Sequence, residues 1–155
     1  MTFVNNQKDV QRPNFTKIEE KIFYKESITD HEIKDIRSRI TILENNIIFI
    51  FQIPFPSSIT YQIFKEEIIK YSKNFNEINL LIDLTERKSS MYSSKDRQNM
   101  IQILNSINNI KHIAIIRDIN KFGNVVFRFI FSLNRKYDFS LHKTFSEAYN
   151  AIKMK

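Results

Sequence analysis

Two aspartates each follow an apolar run of the kind that forms a buried strand. Asp83 lies at the end of the run 78–84, and Asp118 directly follows the run 112–117. Ligands of open α/β sheets bind outside the carboxyl ends of the strands, so we expect Asp83, Thr85 and Asp118 to form a ligand-facing edge. Two such carboxylates can hold Mg²⁺. Sites of that type need a further acidic pair after the first strand, which is absent, so we expect the aspartates to cap loops and no metal to bind.

The segment 89–94 contains four serines. Ser93 is followed three residues later by Asp96, a spacing that resembles a capping box and predicts the start of a helix. The positive end of the helix dipole accepts a phosphate group, so Ser93 and Ser94 are candidate phosphorylation sites. Alternatively, Ser93 serves only as the N-cap of that helix.

Few residues are available for nucleophilic or cofactor chemistry. The absence of Cys excludes a disulfide framework, a thiolate nucleophile and a zinc–thiolate site. The single glycine, Gly123, excludes the glycine-rich loops that bind nucleotides. His31, His112 and His142 lie far apart in the sequence, and no glycine elbow supports a serine nucleophile. We therefore expect no catalysis and no cofactor, with His112 and His142 as structural or surface residues.

The net charge of +7 is concentrated in the last third of the chain, where residues 111–155 contain nine Lys or Arg and three Asp or Glu. A localised positive field favours acidic partners, although it is equally typical of a solvated surface. The aromatic residues among these cations fit a buried helical stripe, so we expect no nucleic-acid binding. No apolar run approaches the ~20 residues of a membrane span, and the N-terminus lacks the apolar core of a secretion signal. We expect a cytoplasmic protein.

Hydrophobic periodicity predicts the elements that position these residues. Apolar and polar residues alternate from Ile36, which predicts a first strand, and Asn45 with Asn46 predicts a two-residue hairpin turn into the second. The predicted strands are 36–42, 47–53, 78–84, 112–117 and 139–142, and the predicted helices are 57–75, one starting at Ser93, 121–137 and a short one after Thr144.

This order predicts a single α/β domain over residues 17–155, with a mainly parallel sheet, an N-terminal β-hairpin and alternating helices. Residues 1–16 are polar and without periodicity, so we expect a flexible N-terminal arm. Residues 17–35 fit either a strand or short helical pieces, with a capping box from Thr29 to Glu32.

The predicted helix 121–137 has two apolar faces. One stripe follows the spacing of a core face, and Phe127 with Phe131 falls on the opposite side, beside Arg128 and Arg135. Exposed aromatic residues next to arginines are typical of interface hot spots, so we expect a protein interface, most plausibly of a homodimer. The alternative is that the N-terminal residues fold over this face.

Three parts of the chain share the apolar patterns of one bacterial regulatory family. Residues 41–50 look like its opening hairpin, residues 78–84 like its central strand, and residues 112–116 with 143–148 like its closing elements. Over residues 36–153 the chain therefore resembles the STAS domain, the fold of anti-sigma-factor antagonists, and more closely its SpoIIAA-like relatives.

The resemblance implies a non-enzymatic signalling module that acts through protein–protein contact. In this family a kinase partner phosphorylates a hydroxyl where the second helix begins, and Ser93 and Ser94 occupy that place here, without the family's preceding Asp and following Gly. We expect a protein partner, either a kinase or another regulator, gated at the loop 89–94. The alternative is a domain that binds a small anionic or lipid ligand at the carboxyl edge of the sheet.

Overall fold

In the described part of the chain, five strands form one sheet whose spatial order follows the chain order. The first two strands pair antiparallel and the others pair parallel, which confirms the predicted α/β class with its N-terminal hairpin. The computed structural model describes residues 10–14, 22–23, 25–44, 46–51, 57–85, 94–117 and 137–153, with 94–97 described by the backbone alone. The elements are α1 (Asp30–Arg37), β1 (Ile40–Leu43), β2 (Ile47–Phe51), α2 (Ser58–Ser72), β3 (Ile78–Asp83), α3 (Ser94–Asn105), β4 (Ile110–Ile116), β5 (Asp138–His142) and α4 (Phe145–Lys153).

The predicted hairpin between β1 and β2 forms, but three residues, 44–46, lie between its paired strands instead of the predicted two. Its register pairs Leu43 with Ile47, and Asn46 in the turn has a φ of 59°. Asn adopts this left-handed conformation more readily than most residues because its short side chain can hydrogen-bond to nearby backbone. Asn46 Nδ2 donates to the carbonyl oxygen of Glu77, and the Asn46 carbonyl accepts from the N–H of Asn79. The turn is thereby tied to the start of β3.

A helix precedes β1, which corrects the expected strand start at Ile36. The hydroxyl of Thr29 accepts from the N–H of Glu32 at 3.2 Å, and the Glu32 carboxylate accepts from the N–H of Thr29 at 2.9 Å. This capping box starts α1, and Ile33 and Ile36, three positions apart, face the core on one side of the helix. The alternation beginning at Ile36 therefore belongs partly to a helix, and the strand starts at Ile40.

Helices cover both faces of the sheet. The face covered by α1, α2 and α3 includes the side chains of Leu80 and Ile113, whereas the face covered by α4 includes Leu81 and Ala114. Successive strand residues point to opposite faces, so the nearly continuous apolar runs of β2, β3 and β4 supply both layers. We call the second of these the α4 face.

The carboxyl ends of the four parallel strands meet in one row on the α4 face. The register aligns Phe51, Asp83, Ile116 and His142 across β2, β3, β4 and β5. Phe51 and Ile116 belong to the core cluster under α4, and residues paired across neighbouring strands point to the same side. A carboxylate and an imidazole are thus placed at the same level on one face.

Tyr137 corrects the predicted end of the helix 121–137. It lies at a bend before β5, and its hydroxyl donates to the carbonyl oxygen of Leu104 at 2.7 Å, which joins this bend to α3. The remainder of the predicted helix lies outside the described residues. Within the described ranges, no helix is long and apolar enough to cross a membrane.

Candidate functional site

Asp83 is the centre of a polar cluster at the carboxyl end of β3. Arg12 Nε donates to Asp83 Oδ2 at 2.7 Å, and Thr85 donates to Asp83 Oδ1 through its N–H at 2.9 Å and through its hydroxyl at 2.7 Å. The Asp83 side chain is only 1% exposed. A buried carboxylate needs a cation and hydrogen bonds to offset its lost hydration, and Asp83 has both. We call Arg12, Asp83 and Thr85 the carboxyl-end cluster.

Arg12 reaches this cluster from residues 10–14, part of the segment expected to be a flexible arm. Val10 packs against the core cluster under α4. The guanidinium of Arg12 lies over the ring of Phe51, with 4.9 Å between Cζ and the ring centroid, and Arg39 lies over the same ring at 5.6 Å. An apolar contact, a buried carboxylate and an aromatic ring therefore hold residues 10–14 against the sheet.

The predicted ligand-facing edge is placed in part. Asp83 and Thr85 lie at the carboxyl edge as expected, and Asp118 lies outside the described residues. Both carboxylate oxygens of Asp83 accept hydrogen bonds from the chain itself. Among the residues that the structure describes, no group of three or more His, Asp or Glu side chains could hold a metal ion. At the same end of the sheet, the N–H of Arg117 donates to the carbonyl oxygen of His142 at 3.0 Å and so extends the pairing of β4 with β5.

The serine-containing segment 89–94 belongs to the connection between the carboxyl end of β3 and the start of α3. Ser94 is the first residue of α3, in agreement with the predicted helix start, whereas Ser93 lies outside the described residues. The segment leaves the sheet at Thr85, whose backbone Asp83 holds in place. The expected interface residues also lie outside the described residues; they are Phe127, Arg128, Phe131 and Arg135.

A second polar cluster, which the sequence spacing of the histidines does not suggest, joins β4 to the edge strand β5. His112 Nε2 lies 2.8 Å and His142 Nε2 lies 2.7 Å from the Oγ of Ser140. His112 is 1% exposed, and the strand register places all three side chains on the α4 face. We call them the histidine–serine cluster. Ser140 and His142 are two positions apart on β5, but their approach to His112 follows only from the pairing of β5 with β4.

The chemistry of this cluster is that of a short hydrogen-bond chain. A serine hydroxyl has one proton, so with both rings neutral one imidazole accepts that proton and the other donates its own to Oγ. Burial lowers the pKa of His142, and the carboxylate of Glu147 at the start of α4 opposes that shift. The neutral form of His142 is thereby favoured near neutral pH, and the hydrogen bonds through Ser140 join β5 to β4.

The opposite end of the sheet carries an open groove of about 490 Å³. Three of its polar side chains make contacts within the chain: Lys111 Nζ lies 3.6 Å from the carboxylate of Glu77, and Asn109 Nδ2 donates to the carbonyl oxygens of Ser72 and Phe75 at 2.9 Å each. These contacts join the turn after α2 to the start of β4, which is a structural role.

The chain shows no significant similarity to known proteins. No protein-family model matches the chain, and no curated protein or solved structure matches it significantly. The resemblance to STAS domains therefore depends on the sequence segments 41–50, 78–84, 112–116 and 143–148.

Proposed function

We propose that the protein is a non-enzymatic, cytoplasmic regulatory module of the STAS type, which acts by binding a protein partner at the carboxyl end of its sheet. The observation that supports this proposal is the carboxyl-end cluster. The carboxylate of Asp83 accepts hydrogen bonds from Arg12, in the N-terminal segment, and from Thr85, at the start of the connection between β3 and α3. Two segments of the chain therefore converge where proteins with open α/β sheets bind their ligands.

The connection between β3 and α3, which contains the segment 89–94, suits a role as a switch. Thr85 at its start donates hydrogen bonds to Asp83, and it ends at Ser94, the N-terminus of α3. A phosphate on Ser93 or Ser94 adds negative charge where the helix dipole is positive and places several acceptor oxygens near the start of α3. We propose that a kinase or another regulator reads this state of the loop.

A small-molecule role is the alternative, and the contacts of Asp83 support the protein-binding role. In the sheets that bind small ligands, polar side chains at the strand ends are directed at the ligand. Here the carboxylate of Asp83 is engaged by Arg12 and Thr85 within the chain. This favours contact with a protein surface over capture of an anionic or lipid molecule by the same edge.

Native mass spectrometry of the protein purified from its own host tests the proposal. We expect an added mass of about 80 Da, the mass of one phosphoryl group, which tandem fragmentation assigns to the peptide containing 89–94. The matched control is a protein carrying Ser93→Ala and Ser94→Ala, in which the added mass is expected to disappear. A bound small molecule that is released on denaturation, with no phosphate on the loop, would contradict the proposal and support the ligand-binding alternative.

A further inference from the structure

We propose that Asp83, Thr85 and Phe51 form a guanidinium-binding site, which Arg12 fills within the chain and which an arginine of the partner protein fills when residues 10–14 are displaced. This inference rests on the proposed function, since it names the chemistry by which the partner is recognised. The carboxylate supplies charge and the ring supplies a face for cation–π contact, and guanidinium groups use both.

Two walls of the site, Phe51 and Asp83, belong to the sheet, so they are expected to persist without Arg12. Phe51 is the last residue of β2 and is packed in the core under α4, and Asp83 is its register partner at the end of β3. Thr85 orients the carboxylate by donating twice to Oδ1, which leaves Oδ2 directed at the guanidinium. A site whose acceptor is oriented in advance binds its cation with a smaller loss of conformational freedom.

The cation comes from a segment outside the sheet that is distant in sequence from both strands. Residues 10–14 belong to no helix or strand, and the side chain of Arg12 is 36% exposed, whereas that of Asp83 is 1% exposed. Arg39, the other arginine over Phe51, differs because its carbonyl accepts from the N–H of Phe51 as the ladder of β1 and β2 begins. Arg39 is thus fixed by backbone pairing, and Arg12 is the exchangeable arginine.

Because Asp83 is buried, Arg12 must be replaced by another cation when it leaves. Removing the cation from a buried ion pair leaves an uncompensated charge, which is far more costly than breaking an exposed pair. Arg12 can therefore leave only if another cation of similar geometry takes its place. An external arginine must also compete with one tethered to the same chain, at an effective concentration in the millimolar range. Release of residues 10–14 and binding of the partner are then a single coupled event.

Chemical rescue of the full-length Arg12→Ala protein tests the site directly. We expect its melting temperature to fall by about 5–15 °C, as for a broken buried ion pair in a chain of this size. Millimolar N-ethylguanidinium is expected to restore part of that loss in a dose-dependent way, because a ligand that binds only the folded state stabilises it. The same concentration of ethylammonium, which cannot reproduce the planar donor group, is expected to restore less.

Two variants control this experiment. Arg12→Ala combined with Asp83→Asn is expected to lose the rescue, because the carboxylate is gone. Arg37→Ala removes a half-exposed arginine 3.6 Å from the carboxylate of Glu67 on α2, and N-ethylguanidinium is expected to leave its melting temperature unchanged. Equal rescue of all variants, or an Arg12→Ala protein as stable as the wild type, would overturn the proposal. If Arg12→Ala does not fold, Arg12→Gln, which keeps a side-chain hydrogen-bond donor but removes the cation, is used in its place.

Binding in trans is measured with a fluorescent peptide of residues 8–16. We expect the peptide to bind the Arg12→Ala protein, and to bind much more weakly when its own arginine is replaced by lysine or when Asp83→Asn is added to the protein. Failure to bind overturns the guanidinium site even if the loop 89–94 is phosphorylated in the host. Binding of the peptide together with an unphosphorylated loop supports the site and counts against the proposed switch, so the two failures are distinguishable.

Discussion

Replacing Ser140 with alanine removes the central group of the histidine–serine cluster. The substitution breaks two side-chain hydrogen bonds, those to His112 at 2.8 Å and to His142 at 2.7 Å. The ring of His142 is partly exposed and can bind water instead, whereas Nε2 of His112, a residue that is 1% exposed, loses the Ser140 hydroxyl without access to water. An unsatisfied buried group costs about 1–3 kcal/mol of unfolding free energy. In a chain of this length we therefore expect the melting temperature to fall by about 2–10 °C.

The assay is thermal unfolding followed by circular dichroism, with Ser146→Ala as the matched control. Ser146 is an exposed serine in the first turn of α4, so the same chemical deletion there is expected to change stability by no more than about 0.5 kcal/mol. A Ser140→Ala protein as stable as the Ser146→Ala protein would refute the role given to the cluster.

The same cluster makes stability depend on pH, with a definite sign. Burial lowers the pKa of His142 in the folded protein from its ordinary value of 6.5, so the unfolded chain binds the proton more tightly. The contribution of His142 is therefore fully present above pH 6.5 and is lost as the pH falls through the lowered native pKa. We expect the stability of His142→Asn to depend less on pH than that of the wild type between about pH 7.5 and about pH 5. His31→Asn, at a side chain that is 84% exposed, is the control expected to behave like the wild type.

Three further predictions concern the candidate site residues. Ser93→Ala is expected to lower stability by about 0.5–2 kcal/mol if Ser93 is an N-cap, whereas aspartate at Ser93 or Ser94 is expected to alter partner binding with the fold intact; a loss of stability with unchanged binding rules out the switch. Millimolar Mg²⁺ is expected to leave the melting temperature unchanged because Asp83 is paired within the chain, and a rise that disappears in Asp83→Asn contradicts this. Phe127→Glu combined with Phe131→Glu is expected to give a folded monomer from a dimer by light scattering and circular dichroism; a monomeric wild type whose variant unfolds shows that the face is internal.

Local signals predicted most of the described elements. Continuous apolar runs marked β3 and β4, Asn46 marked the hairpin turn, and Ser57 caps α2 by accepting from the N–H of Thr60 at 3.2 Å. Each of these signals acts over a few residues, so it is visible in the sequence. The strand expected from Ile36 is wrong for its first residues because Ile36, which belongs to the apolar stripe of α1, stands in phase with the alternation of the following strand.

Both polar clusters depend on contacts that no local pattern contains. Arg12 and Asp83 are 71 positions apart, and His112 and Ser140 are 28 positions apart. A shift of one residue in the pairing of β4 with β5 would move Ser140 to the other face of the sheet and leave His112 without its partner. Asp83 was expected to lie at the carboxyl edge. Its pairing with Arg12 was not expected, because nothing in the polar segment before residue 17 indicates a cation that pairs with a buried carboxylate.

The two faces of the sheet differ in a way that explains where the polar clusters lie. Among the described residues, three helices cover one face and α4 covers the other; α4 has nine residues and is about 14 Å long, and the sheet is about 19 Å wide. A helix of this length does not span five strands, so strand positions beyond its reach need another cover or polar side chains. The chain uses both solutions, with residues 10–14 laid over Phe51 and the histidine–serine cluster at the edge strand. Helices packed over the full width of a face have no reason to exchange, but a segment held by Val10 and Arg12 can be replaced by a partner that offers the same contacts. The α4 face is therefore where we expect the proposed regulatory contact to be made.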